Sequence, residues 1–299
     1  MRRKPLQLIQ LDPYLKPFAP AINGRYNFAI RREWELTGGK RLKDWASGYL
    51  YFGLHRTESG WIFREWAPNA TAIYLIGEMN GWQRNEAYRL KEIGNGIWEG
   101  EWQLAAMRNE MHYKLLVEWN GGSGERIPAY ATRVVQDPVT RLFSAQIWEQ
   151  HYVWKNHSPH RSPLHPDENS NLFIYECHIG MAQDAERVGT YTEFRDNILP
   201  RVIRGGYNCI QIMAIAEHPY YGSFGYHVSS FFAASSRFGT PDDLKSLVDT
   251  AHGMGLRVIM DLVHSHAVAN ERDGLSRFDG TDYQYFHSGP KGWHTAWGS

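Results

Sequence analysis

The chain is poor in cysteine and carries no excess charge. It has 2 cysteines in 299 residues, Cys177 and Cys209, and both lie inside apolar runs typical of β-strands. We therefore expect two reduced core thiols in a cytoplasmic protein rather than a disulfide framework. Lysine plus arginine number 32, as do aspartate plus glutamate. Nucleic acid and anionic membrane surfaces attract basic proteins, so this balance argues against both partners.

Long apolar runs and internal repeats are also absent. No segment approaches the roughly 18 apolar residues of a membrane span, and the basic start at residues 1–5 has no apolar stretch behind it. We therefore expect neither a transmembrane segment nor a signal peptide. No repeat of fixed period is present, which argues against a solenoid, and the length leaves room for two domains.

What the chain has in abundance is aromatic side chains. Its 12 Trp, 17 Tyr and 13 Phe make up 14% of the residues, more than a core commonly needs. Flat aromatic rings can bind the apolar faces of sugars or of nucleobases. Because the chain has no net positive charge, the composition favours sugars.

The first half of the chain changes periodicity near residue 48. Residues 1–47 predict a helical arm, in which Tyr26, Ile30 and Trp34 recur every four residues and a Gly-Gly pair follows. Residues 48–150 contain short runs of β-branched and aromatic residues separated by turn residues. This pattern predicts a β-sandwich.

Two residues of the predicted sandwich are candidates for sugar binding. Trp82 directly follows Asn80-Gly81 at a turn, where a large ring is poorly buried, and Lys114 interrupts an otherwise apolar strand. A Trp beside a Lys on one face would stack on a sugar and hydrogen-bond to it. Alternatively, Trp82 packs against a neighbouring domain.

Residues 151–170 predict a linker rich in proline, serine and histidine. Its histidines could suggest a metal site. The prolines and the irregular histidine spacing favour an extended connection instead, and we expect no metal there.

Residues 171–299 alternate between strand and helix patterns. This order predicts a parallel sheet with right-handed crossovers. The predicted strands and the predicted helix starts are Leu172–Cys177, Thr190, Cys209–Ile215, Thr240 and Leu256–Val263.

The last of these strands indicates a site. Asp261 lies near its C-terminal end, where a buried strand would not normally tolerate a charge, and His264-Ser265-His266 follows. The loop Glu217–His227 follows the C-terminal end of the second strand and holds four aromatic residues and two glycines. Strand ends of parallel sheets display polar groups to ligands, so both loops should overhang one pocket. Alternatively, Asp261 binds loop amides and the histidines are solvated.

Five motifs stand out in this region: Gly225-Tyr226, Ser229 to Pro241, Asp261 to His266, Asp273-Gly274 and Phe278 to Asp282. Together they resemble the motifs of the 1,4-α-glucan (glycogen or starch) branching enzymes of the α-amylase superfamily, in their eukaryotic-like form. The resemblance covers nearly the whole chain, and Ser265 stands where many amylases have asparagine.

The resemblance implies a carbohydrate-binding module before a (β/α)8 TIM barrel that cleaves α-1,4 glucan and makes α-1,6 branches. It implies that Tyr226 stacks on the sugar at the cleavage site, that His266 hydrogen-bonds its hydroxyls, and that Asp261 orients the pocket. The partner would be an α-glucan polysaccharide such as glycogen, starch or amylose, with no cofactor. The glucan-contacting residues of the module would be Trp82, Lys114 and, less closely matched, Trp66. His227 stands where the family usually has glutamine.

The resemblance also implies that the chain lacks its catalytic residues. Retaining glycoside chemistry needs two carboxyls about 5 to 5.5 Å apart, and in this family they come from strands beyond the third. The chain stops at Ser299, whereas a (β/α)8 barrel takes roughly 250 residues. We therefore expect three βα units, no catalytic residue and no activity from this chain alone. Four carboxylates are available, but none matches the family's pair: Glu176, Glu217, Asp279 and Asp282.

Two other functions remain open at this point. The chain could be a non-catalytic glucan-binding protein built on the sandwich. It could also belong to a debranching or amylolytic hydrolase of the same superfamily, which the His264-Ser265-His266 sequence disfavours.

Overall fold

A computed structural model describes residues 7–157 and 171–296 of the chain. It divides into two compact units, Met1–Tyr51 and Phe52–Ser299.

The first unit is helical, as predicted. Its longest helix begins at Ala19, earlier than the sequence pattern indicated, because Pro20 occupies the first turn, where its missing N–H costs no hydrogen bond. It ends where Gly38 adopts a left-handed conformation, with φ of 60°, and donates its N–H to Trp34 O. The helices are α1 (Gln7–Leu11), α2 (Ala19–Thr37), α3 (Leu42–Trp45) and α4 (Gly48–Tyr51).

The second unit begins with the predicted β-sandwich. One antiparallel sheet has the strand order β1-β2-β5-β4, and the other has the order β3-β6-β9-β8, with β7 beside β6. Phe63, Leu75 and Leu115 come from both sheets and are fully buried in one shared core. The strands are β1 (Gly53–Arg56), β2 (Gly60–Trp66), β3 (Ala70–Gly77), β4 (Lys91–Gly94), β5 (Ile97–Gln103), β6 (His112–Trp119), β7 (Gly122–Arg126), β8 (Val134–Gln136) and β9 (Phe143–Gln146).

The alternation of strands and helices predicted after residue 171 is confirmed. Three parallel strands lie in the order β10-β11-β14, and β12 pairs with β13 as an antiparallel hairpin. The elements are β10 (Ile174–Cys177), α5 (Tyr191–Glu193), α6 (Leu199–Arg204), β11 (Cys209–Ile212), β12 (Ala216–Glu217), β13 (Ser230–Ala234), α7 (Pro241–Gly253) and β14 (Arg257–Met260).

The predicted helix starts are also confirmed. The side chains of Thr190 and Thr240 each accept a hydrogen bond from the backbone N–H three residues later. The acidic side chain at that later position accepts a hydrogen bond from the threonine N–H. These capping boxes satisfy backbone donors that a helix leaves open at its first turn.

The last strand is shorter and more exposed than the sequence predicted. It covers Arg257–Met260 rather than residues 256–263, and Met260 and Leu262 are 40% and 64% exposed. The reason is its place in the sheet, since β11 is its sole strand partner within the described ranges. Asp261 N still donates to Ile212 O at 3.0 Å, so hydrogen bonding continues one residue past the strand.

The two faces of the parallel sheet differ in cover. Ile210 and Ile212 point into a core shared with the helices, whereas Ile174 is 39% exposed and Glu176 is exposed. A parallel sheet is normally covered on both faces. The part of the other face around Ile174 and Glu176 is therefore bare among the described residues.

Both cysteines are buried free thiols, as expected. Burial raises the pKa of Cys177 to about 12. Within the described ranges, no helix combines the length and apolar character needed to cross a membrane.

The first part of the predicted linker is fixed to helix α7. The Asp249 carboxylate accepts hydrogen bonds from Tyr152 Oη, at 2.8 Å, and from the backbone N–H groups of Lys155 and Asn156. Residues 158–170, with two of the four linker histidines, lie outside the described residues. Within residues 7–157 and 171–296, no cluster of three or more His, Cys, Asp or Glu could hold a metal ion.

The loop after β14 docks on the sandwich. Arg126 is buried and donates from Nε to Phe278 O at 3.1 Å and from Nη2 to Arg277 O at 2.9 Å. Phe278 is itself fully buried in the sandwich core. Gly280 lies at φ of 85°, and a Cβ there would overlap the indole of Trp119. The loop that follows the histidines is thus held by the sandwich.

Candidate functional site

The two loops singled out by the sequence line one cleft, as predicted. The cleft has a volume of about 910 Å³. Tyr220 and Tyr226 line it from the aromatic loop, and Leu262 and the His264–His266 segment line it from beyond β14.

Tyr226 and Asp261 are hydrogen-bonded to each other beside this cleft. Tyr226 Oη donates to Asp261 Oδ2 at 3.2 Å, and Gln211 Nε2 donates to Asp261 Oδ1 at 2.9 Å. Burial raises the pKa of Tyr226, and the negative charge of Asp261 adds to the effect. Both carboxylate oxygens are thereby fixed, which holds the tyrosine ring in one place.

The backbone of the aromatic loop explains how Tyr226 reaches the cleft. Gly225 has φ of 89°, and a Cβ at this position would overlap the carbonyl oxygen of Ala214. Glycine is therefore required for the close approach. Tyr226 N then donates to Ser223 O at 3.0 Å and closes the turn.

A buried histidine supports the same loop, and sequence reasoning missed it. The ring of His178 meets Tyr221, Phe224 and Phe238 edge-on, with centroid distances of 5.9, 5.5 and 5.5 Å. Its two ring nitrogens are buried and have no hydrogen-bond partner within the described residues. Burial lowers the pKa of His178, and the nearby His218 lowers it further. His178 is thus a neutral, mainly apolar support.

His266 lies in a row of histidines at the cleft wall. Its Nδ1 is 2.8 Å from Ser265 Oγ. The rings of His227 and His294 lie 6.0 and 6.1 Å from its ring. The sequence noted His227 as a departure from the family pattern but gave no signal for His294, which is 28 positions further along the chain.

The four available carboxylates have four separate surroundings. Glu217 is buried and accepts hydrogen bonds from Ser236 N and Oγ, each at 2.7 Å, and from Ser235 Oγ at 3.2 Å. Burial raises the pKa of Glu217. Asp279 is buried against the sandwich, Glu176 lies on the bare sheet face, and Asp282 is exposed near Arg277.

The sandwich carries the second candidate site. Lys114 Nζ lies 5.9 Å from the centroid of the Trp82 ring and donates to Glu125 Oε2 at 2.8 Å. Trp82 is 39% exposed at φ of 64°, an unfavourable conformation for a bulky residue. The turn holds it there, because Trp82 N donates to Gly77 O at 2.8 Å and the Asn80 side chain binds Gly77 N.

Trp66 is not part of this pair. It lies on the other sheet, with its ring edge-on to Tyr285 at 5.8 Å, and its carbonyl oxygen accepts a hydrogen bond from Gln284. Its role as a glucan contact stays a prediction.

Sequence reasoning also missed Gln211 and Glu125, the hydrogen-bond partners of Asp261 and Lys114. A signal existed for Gln211, which is the single polar residue in the strand Cys209–Ile212.

Two known families match separate parts of the chain. Residues 51–139 match carbohydrate-binding module 48 (isoamylase N-terminal domain), and residues 206–296 match the alpha amylase catalytic domain. The fold agrees with a solved pullulanase from Bacillus acidopullulyticus, with a TM-score of 0.63 at 19% identity over 81% of this chain and 33% of that one. The sandwich thus matches a carbohydrate-binding module, and the region that holds the cleft matches the alpha amylase catalytic domain.

The similarity to full-length proteins is more specific. Over 98% of its length, the chain is 44% identical to the 1,4-alpha-glucan-branching enzyme of Yarrowia lipolytica and 45% identical to that of Rhizophagus irregularis. Over nearly its whole length, the chain is thus similar to 1,4-alpha-glucan-branching enzymes. It spans 43% of the length of each of these two relatives.

Proposed function

We propose that the chain is the glucan-holding part of a 1,4-α-glucan-branching enzyme of the retaining type. Such an enzyme cleaves an α-1,4 bond and keeps the cut chain on a carboxylate. The 6-hydroxyl oxygen of an acceptor glucan then bonds to C1, the carboxylate leaves, and the hydroxyl proton passes to the acid/base carboxyl. The observation that carries this proposal is the identity of 42 to 45% to branching enzymes over 98% of the chain.

In this proposal the cleft holds the sugar at the cleaved bond. Tyr226 stacks on the ring, His266 hydrogen-bonds the hydroxyls, and Asp261 orients the pocket through its hydrogen bond to Tyr226. The fixed Tyr226–Asp261–Gln211 chain supports these roles, because a rigid site orients a substrate at lower entropic cost.

We further propose the domain limits 1–47, 48–150, 151–170 and 171–299, with the last domain forming the first three βα units of an eight-stranded barrel. The exposed edge strand β14 and the bare face around Ile174 support this, since a closed barrel would cover both. The family match that starts at residue 51 supports the second domain.

The nucleophile and the acid/base group are supplied from outside these 299 residues, and we propose that the chain alone is inactive. Glu217 and Asp279 are occupied in structural hydrogen bonds, which supports this. The test is to incubate amylose with the 299-residue protein and count new α-1,6 linkages. We expect none, and measurable branching would overturn the proposal.

A second candidate function is glucan binding without catalysis. The Trp82–Lys114 pair favours it, because the exposed Trp82 ring and the buried Lys114 beneath it both lie within this chain. Hydrolysis is disfavoured by the His264-Ser265-His266 segment. Linkage analysis of products from a complete protein that contains this chain would separate transfer, which makes α-1,6 bonds, from hydrolysis, which does not. A cytoplasmic location is proposed from the two buried free thiols.

A further inference from the structure

The His264–His266 segment separates two clefts. One is the Tyr226 cleft described above. The other has a volume of about 860 Å³ and is lined on its far side by Tyr130 of the sandwich, Phe232 of β13 and Trp293. Their linings share His264, Ser265 and His266 and nothing else among the described residues. The segment is thus a common wall.

A rigid aromatic platform forms part of this second cleft. The rings of Phe52, Tyr130 and Phe232 stack in series, with centroid distances of 5.1 and 4.5 Å and interplanar angles of 25° and 21°. Phe232, at the end of the series, is 45% exposed. Phe231, next to it, stacks on His264 at 5.6 Å. The strand that carries Phe232 is therefore also in contact with the shared wall, through Phe231.

The described lining of this cleft carries little formal charge and is rich in aromatic side chains. Its described lining residues include Lys291 but no aspartate or glutamate, and they include polar side chains that can hydrogen-bond a sugar hydroxyl, such as Tyr283 and His287. Tyr283 and Trp293 are 66% and 49% exposed. Exposed flat rings with hydrogen-bonding groups around them suit a polyhydroxylated ring that has apolar faces and no charge.

We propose that the second cleft binds a second α-glucan chain, independently of the chain in the Tyr226 cleft. The inference rests on the proposed branching function, in which two glucan chains must meet, one being cut and the other accepting. A shared wall that contains His266 brings the two clefts side by side. Phe232 is the platform of the acceptor cleft, as Tyr226 is of the donor cleft.

Single reporter thiols can test this directly. Cys177 and Cys209 are buried, so a cysteine introduced on the surface can be labelled selectively. Ala269→Cys puts a thiol on an exposed residue of the second cleft, and Leu262→Cys puts one on an exposed residue of the Tyr226 cleft. Each protein carries an environment-sensitive fluorophore and is titrated with maltoheptaose.

We expect both reporters to respond. Phe232→Ala should weaken the affinity reported at position 269 at least fivefold, which is on the order of 1 kcal/mol. It should leave the affinity reported at position 262 unchanged. Tyr226→Ala should do the reverse. Trp154→Ala, an exposed aromatic residue outside both linings, should change neither. Thermal melts of each variant check that the fold persists, and His287→Ala provides a second variant in the same cleft.

Three results would overturn the inference. In the first, the response at position 269 survives both Phe232→Ala and His287→Ala. In the second, it disappears with Tyr226→Ala, which would make the two clefts one site. In the third, it is absent while the reporter at position 262 responds. If neither reporter responds and glycogen is not retained by the wild-type chain, the proposed function itself fails.

Discussion

Asp279 is fully buried and accepts a hydrogen bond from the backbone N–H of Asn69, which lies 210 positions earlier in the chain. The same carboxylate accepts from Thr281 N at 3.1 Å and from Thr281 Oγ1 at 2.6 Å. Asn69 stands at the turn before β3, so this contact ties the loop that follows His266 to the sandwich.

Replacing this carboxylate should destabilise the protein. Asp279→Ala removes three hydrogen bonds to a buried carboxylate, from Asn69 N and from Thr281 N and Oγ1, and we expect the free energy of unfolding to fall by about 2–4 kcal/mol. Urea unfolding measures it through the midpoint. Asp282→Ala removes an exposed carboxylate three positions away and should change the stability by less than about 0.5 kcal/mol. Equal effects of the two variants would contradict the structural role.

Glu65 should make the protein less stable as pH rises. It is fully buried, and burial raises its pKa to about 7, although Ala129 N and Trp66 N donate to it. Because the unfolded chain releases this proton near pH 4.5, the stabilisation is present below that pH and is lost between about pH 4.5 and 7.

Glu65→Gln cannot titrate and should lack this loss. Between pH 4.5 and 7 the wild type should lose on the order of 3 kcal/mol more than the variant. Urea unfolding across this range measures the difference. Glu101→Gln, an exposed carboxylate on β5, should run parallel to the wild type. Parallel curves for Glu65→Gln and the wild type would show that the pKa of Glu65 is the same in the folded and the unfolded chain.

His178 should make the protein less stable as the pH falls, the opposite of the effect of Glu65. Burial lowers its pKa from 6.5, so below that pH the unfolded chain takes up a proton that the folded chain resists. Stability from this residue is therefore present above pH 6.5 and lost as the pH falls. His178→Phe should keep the ring packing under Tyr221 and lessen the loss on acidification, as unfolding at pH 7.5 and 5.5 would measure. An unchanged acid dependence in His178→Phe would contradict this assignment.

Trp82 should dominate glycogen binding by the sandwich. Trp82→Ala removes an exposed ring from a residue whose backbone the turn holds in a left-handed conformation. We expect the affinity for glycogen to fall about tenfold, or roughly 1.4 kcal/mol. Affinity electrophoresis in glycogen-containing gels measures this. Trp154→Ala removes a tryptophan that is 50% exposed elsewhere and should bind as the wild type does. Retained binding by Trp82→Ala would exclude this surface as the main site.

The sequence was most informative where local patterns decide the structure. Alternating residues predicted the sandwich, and capping residues such as Thr240 predicted helix starts, because hydrogen bonds within three residues fix them. The shared cleft followed from a rule of parallel sheets, which places the loops of Tyr226 and Asp261 at one edge. Their chemical roles remain predictions.

Long-range contacts carried no local signal. Arg126 donates to the Phe278 carbonyl oxygen across 152 positions, and no pattern in either segment predicts this contact. The exposure of β14 was likewise missed, because an apolar run such as Val258 to Met260 reads the same in a central strand and at an edge.

The docking of Phe278 on Arg126 has a consequence for how the protein is made. Chains fold domain by domain from the N-terminus during synthesis, so the strands of the sandwich can pair before residues 275–285 leave the ribosome and add Phe278 to the core. The guanidinium of Arg126 can then donate hydrogen bonds to the carbonyl oxygens of the loop that follows. The module acts as a template on which the newest segment is shaped, and errors in the sandwich would be passed on to the cleft.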